Sequence, residues 1–127
     1  MAGLVVRGDG RGRALGVPTA NLAIDNQVLP PNGVYGVRVY IGGLGNQTKW
    51  GVMNIGNVPT FKNETIRHAE AHILDFDQNI YDQYLIAEII HPLREERKFP
   101  GPVELIRQIH ADIEAFQDWV SQSSGMR

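Results

Sequence analysis

Residues 33–41 read GVYGVRVYI, with β-branched and aromatic side chains alternating between turn formers. A period of two in such residues, closed by Gly42-Gly43-Leu44-Gly45-Asn46, predicts a strand and then a turn. Residues 49–55 (KWGVMNI) are expected to return as its hairpin partner. Residues 4–7 and 69–76 are further strand candidates. Residues 84–91 (YLIAEIIH) are apolar on nearly both faces, which suits a central strand. Pro59 is expected to close a short loop. Short strands at this spacing, joined by Gly and Pro turns, point to a small antiparallel barrel.

A single segment has helical period. Val103, Leu105, Ile106, Ile109, Ile113, Phe116 and Val120 recur at steps of three and four, while Glu104, Arg107, Gln108, Asp112, Glu114 and Asp118 are expected to fill the solvent face. Pro102 suits the first helical position, and Glu104 lies near the positive end of the helix dipole. The pattern predicts a helix over about 102–120, packed on the barrel, with a frayed tail over 121–127.

A length of 127 residues suits one domain, residues 1–127, and 43% hydrophobic content argues against disorder. A net charge of −2 gives no basic footprint for nucleic acid. The absence of cysteine excludes a disulfide framework and a thiolate metal site. No apolar run approaches membrane-spanning length and no signal-peptide core is visible, so a cytoplasmic location without a membrane partner is expected.

Chemistry concentrates in three places. Residues 8–22 (GDGRGRALGVPTANL) combine Gly8, Gly10, Gly12 and Gly16 with Arg7, Arg11 and Arg13, and run into Pro18-Thr19-Ala20-Asn21. Glycine permits close backbone approach, arginine offers a planar fork of donors for phosphate, and Thr19 and Asn21 carry the oxygen ligands that Mg²⁺ prefers. This is either a Mg-nucleotide loop or a surface loop with scattered arginines. His68-Ala69-Glu70-Ala71-His72 would place His68, Glu70 and His72 on one face of a strand. Glu70 there is a general base, part of a metal site or a solvated strand residue. Third, Leu93-Arg94-Glu95-Glu96-Arg97-Lys98-Phe99 is a charged connector, or a set of donors around a stacking surface for a planar ligand. No lysine completes a Walker loop, and the third glycine of a dinucleotide fingerprint is missing.

Together these residues carry a resemblance. Gly8-Asp9-Gly10-Arg11-Gly12, Leu15-Gly16-Val17-Pro18-Thr19-Ala20-Asn21, Gly33-Val34-Tyr35, Asn54-Ile55-Gly56 with Pro59-Thr60-Phe61, Glu70-Ala71-His72-Ile73-Leu74-Asp75-Phe76, Ile80-Tyr81, and Leu93-Arg94 with Phe99 stand in the order and spacing of the ATP-dependent riboflavin kinase family. The resemblance runs from Leu4 to about Trp119. It implies a mainly β fold, a six-stranded antiparallel Greek-key β-barrel with one C-terminal α-helix packed on it. It implies transfer of the ATP γ-phosphate to the 5′-hydroxyl of riboflavin, giving FMN and ADP, with Mg²⁺ and without a tightly bound prosthetic group.

Carried over by position, Glu70 is the catalytic base and Thr19 and Asn21 are the metal ligands. Gly8, Arg13, Pro18, Thr19, Asn21, Ile73, Asp75 and Tyr81 belong to the ATP site. Arg94, Arg97 and Phe99 belong to the flavin site. Asp82 departs from the family's usual glycine after Tyr81, and Arg97 stands where lysine is frequent. The chain fits a stand-alone kinase or the kinase half of a bifunctional enzyme whose N-terminal FMN adenylyltransferase domain is absent. Two other readings stay open: a non-catalytic flavin- or nucleotide-binding module, and a small metal-binding barrel using His68, Glu70 and His72.

Overall fold

The computed structural model describes residues 1–6, 20–23, 29–42, 47–59, 62, 65–76, 80 and 83–123. Among them the alternating segments form strands β1 (Ala2–Val6), β2 (Ala20–Leu22), β3 (Gly33–Ile41), β4 (Gln47–Pro59), β5 (Thr65–Ile73) and β6 (Tyr84–Arg94). The segment of helical period forms α1 (Pro102–Gln122). The fold is mainly β with one C-terminal helix, as expected from the sequence.

All the pairings are antiparallel. β3 and β4 form the expected hairpin, in register from Gly33↔Ile55 to Ile41↔Gln47. β4 pairs with β5, β5 with β2, and β3 with β6. β1 lies against β2 through Val5↔Leu22 and against β6 through Gly3↔Leu85, giving the strand order β1-β2-β5-β4-β3-β6. Alternation sends one set of side chains inward. Val37, Val39, Met53, Ile55, Ala69, Ala71, Leu85 and Ala87 are fully buried there. Alanines alternate there with larger side chains, which suits the narrow interior of a small barrel-like sheet.

The outer face of β3, β4 and β6 carries a second apolar cluster, where Val34, Val52 and Phe116 meet Trp50, Leu93, Ile113 and Trp119. The docking point is a notch: a Cβ at Gly36 would run into the Phe116 ring. Trp50 meets Phe116 edge-on at 5.6 Å between centroids, and His91 stacks on Trp119 at 4.3 Å. The segment before β3 is held by polar contacts. Tyr35 Oη donates to the Pro31 carbonyl at 2.5 Å, and Arg67 donates through Nε to Asn32 Oδ1 at 2.9 Å and through Nη2 to the Pro30 carbonyl. Asn32 Nδ2 in turn donates to Asn57 Oδ1 at 3.2 Å.

The structure corrects several expectations. The strand expected over 69–76 is Thr65–Ile73, because Leu74 and Asp75 turn the chain and Asp75 adopts φ 55°. That left-handed conformation is tolerated by Asp more readily than by most residues. β4 extends beyond 49–55 and ends at Pro59, which pairs with Thr65 instead of closing a loop. β1 begins and ends earlier than 4–7. β2, three residues long, lies inside what reads as loop. α1 continues to Gln122, and the end of the tail, 124–127, lies outside the described residues. Val103 is 63% exposed, not part of the packed stripe, and Asp112 is 4% exposed, not on the solvent face.

Candidate active site

The site is built on the outward face of β5. Ala69, Ala71 and Ile73 turn into the core, so His68, Glu70 and His72 face outward and are half-buried. Register decides their neighbours. Glu70 stands opposite Asn21 of β2 on one side and opposite Asn54 of β4 on the other. Directly opposed residues share a face, with Cβ atoms about 4.5–5.5 Å apart. Asn21, Glu70 and Asn54 therefore form one polar row across three strands. His68 Nε2 lies 3.5 Å from Glu70 Oε2, each side chain about one-third exposed (31% and 33%).

One step along the sheet, Gly56 is in register with His68. Its missing side chain leaves a space that the Glu96 carboxylate occupies. Glu96 belongs to the connector after β6, so the connector lies across β4 beside the polar row. This placement could not be read locally, because Gly56 and Glu96 are 40 residues apart in sequence.

Arg94 and Arg97 are held by α1. Arg94 Nε and Nη2 donate to the two carboxylate oxygens of Asp112, each at 2.9 Å, and Nη1 donates to the Glu95 carbonyl at 3.1 Å. Gln108 Nε2 donates to Asp112 Oδ1 at 2.9 Å, and Arg97 Nη2 donates to Gln108 Oε1 at 2.8 Å. The Arg94 and Arg97 guanidinium carbons lie 5.6 and 4.8 Å from the centre of the Phe99 ring. The three residues expected at a flavin are thus gathered together, the two guanidinium groups beside the Phe99 ring.

The expected nucleotide residues are placed as follows. Asn21 joins the Glu70 row, Asp75 is exposed in the turn after β5, and Ile73 packs in the core. Gly8, Arg13, Pro18, Thr19 and Tyr81 lie outside the described residues. Four further polar residues enter the picture: Asn54, Glu96, Gln108 and Asp112. Asn54 carried a visible signal, a lone amide in the apolar alternation of residues 49–55. Among the described residues, no three His, Asp or Glu side chains form a group able to hold a metal ion, which counts against a site made of His68, Glu70 and His72. Asn21 beside Glu70 does offer amide and carboxylate oxygens, the donor chemistry that suits a hard divalent cation.

Comparison with known proteins identifies the family of the chain. A family model described as riboflavin kinase (flavokinase) matches residues 1–120. The bifunctional riboflavin kinase/FMN adenylyltransferase of Bacillus subtilis is 41% identical over 113 residues, covering 87% of this chain and 35% of that protein. The chain thus spans about a third of the length of such curated relatives. Among solved structures, one titled macrolide-efflux protein from Streptococcus pneumoniae superimposes with a TM-score of 0.82 at 34% identity, covering 93% of this chain and 38% of that one. Riboflavin kinase from Trypanosoma brucei shares the fold with a TM-score of 0.65 at 21% identity, covering 97% of this chain and 80% of that one.

Proposed function

The chain belongs to the riboflavin kinase family, and on that footing we propose that it transfers the ATP γ-phosphate to the 5′-hydroxyl of riboflavin, yielding FMN and ADP. The observation that carries the reading is the row Asn21–Glu70–Asn54. It sets one carboxylate between two amides on an accessible strand face.

A ribityl hydroxyl is a weak nucleophile until a positioned base takes its proton. Glu70 is that base. Its carboxylate accepts the hydroxyl proton as the new bond to phosphorus forms and the bond to the ADP oxygen breaks. The rest of the acceleration in phosphoryl transfer comes from alignment and charge neutralisation. Thr19 and Asn21 would hold Mg²⁺, which supplies neutralisation of the phosphate oxygens. Gly8, Arg13, Pro18, Ile73, Asp75 and Tyr81 complete the ATP side. Arg94, Arg97 and Phe99 take the flavin, with Phe99 as the stacking surface and the guanidinium groups as donors to its carbonyl oxygens.

For the architecture we favour a closed six-stranded Greek-key barrel, supported by the pairing of β1 with both β2 and β6. The chain corresponds to the kinase portion of a bifunctional protein such as the Bacillus relative. A cytoplasmic setting fits the supply of ATP. Among the described residues no helix is long and apolar enough to cross a membrane.

The test is FMN formation from riboflavin, ATP and Mg²⁺, with Glu70→Gln measured in parallel. The substitution is expected to lower kcat by about 10²–10⁴-fold, the scale of a lost general base. A variant that turns over at the normal rate removes Glu70 from this role. Saturable quenching of riboflavin fluorescence without FMN formation would identify a binding module instead.

A further inference from the structure

Among the described residues Asp112 is the one charged side chain that is buried, at 4% exposure. Both of its oxygens are committed to Arg94, and one also accepts from Gln108. Gln108 has a single amide orientation that satisfies both neighbours: the NH₂ faces the acidic Asp112, and the oxygen faces the cationic Arg97. The result is a chain of donors and acceptors running Arg97, Gln108, Asp112, Arg94. It fixes the two guanidinium groups beside the Phe99 ring.

A bidentate pair of this kind is far more expensive to half-remove than to keep, because one buried charge is left without its partner. If the pair served packing alone, apolar residues would do as well in that position. The helix face instead supplies a polar clamp to a connector whose own residues are mostly exposed. Resting on the reading given under Proposed function, we propose that Asp112 and Gln108 are positioning residues for the flavin. They act through Arg94 and Arg97 and do not touch the substrate. α1 is thereby part of the recognition machinery for the planar ligand, not only a cover for the sheet.

The experiment measures steady-state kinetics with each substrate varied in turn, for wild type, Gln108→Leu, Asp112→Asn and Asp112→Glu, with thermal melting as the check on folding. Gln108→Leu is expected to melt near the wild-type temperature and to raise the riboflavin KM about tenfold, the scale of one charge-assisted hydrogen bond. The ATP KM should stay within about twofold, so the loss falls on the flavin side. Asp112→Asn should show the same split more strongly, and Asp112→Glu, which keeps the carboxylate, should recover part of it.

Folded variants with a wild-type riboflavin KM overturn the proposal. So does a fall in kcat alone, in proportion to the protein lost to unfolding, because that is what a merely structural role gives. Wild-type protein that makes no FMN overturns the reading under Proposed function instead. In that case the Kd for riboflavin, read by fluorescence quenching, decides the inference: about tenfold weaker binding in Gln108→Leu supports it, and equal binding or none in wild type ends it.

Discussion

Asn54 and Glu70 show what a single pair position can decide. Asn54 is exposed, stands opposite Glu70 and makes the far side of the polar row. An amide there can donate to the carboxylate or to the hydroxyl that the carboxylate deprotonates. Asn54→Ala is expected to lower kcat/KM by about tenfold while leaving the melting temperature unchanged, the signature of one lost hydrogen bond at the reacting centre. Kinetics equal to wild type would leave Asn54 outside the chemistry. Glu70 itself was legible from sequence, because alternation alone put it on the outward face between two histidines. Asp112 was not. Its position, four residues before Phe116 and three after Ile109, lies on the edge of the apolar stripe, and only the arrival of Arg94 from β6 makes burial tolerable.

Elements were read well where the pattern was long. β3 was bounded correctly, and α1 differed only at its end. β2 escaped because three residues give no period to count and it follows directly on Gly16-Val17-Pro18-Thr19, a run with turn formers. Its pairing with β5 is a tertiary decision, made by the buried Ala20 and Leu22. The contact between helix and sheet was legible only as an apolar stripe; the notch was not. At Gly36 a side chain has no room, since the Phe116 ring occupies the space. Gly36→Val is expected to destabilise the protein by about 1–3 kcal/mol through overpacking, and Phe116→Ala by about 3–5 kcal/mol through the cavity it leaves. Denaturant melts on both variants check this, and a Gly36→Val protein as stable as wild type would mean that the helix can shift away.

At the scale of the molecule, strand pairing is unequal. β3 is paired along its length on both sides, whereas β1 meets β2 and β6 over short stretches. Backbone hydrogen bonds in well-packed, doubly paired strands open only with global unfolding, and those in short peripheral strands open locally. Hydrogen exchange should therefore be slowest at Val37 and Val39 and markedly faster across β1. Uniform protection would show that β1 is held as firmly as the β3–β4 hairpin. The mainly β character and the barrel-like succession of strands were legible in the alternation. The pairing of β1 with β6 was not, because it joins residues as far apart in sequence as Gly3 and Leu85.

Phe116, Asp112 and Gln108 follow one another at intervals of four along a single side of α1, the first seated at Gly36 and the other two holding the connector. A helix turns about 100° per residue, so this alignment is a matter of counting. With the ring in its notch, one residue added or deleted between Asp112 and Phe116 would swing the acid away from Arg94, and one between Gln108 and Asp112 would swing Gln108 away from Asp112. Among natural relatives of this chain, length variation should accordingly be absent from that stretch and gather beyond Val120.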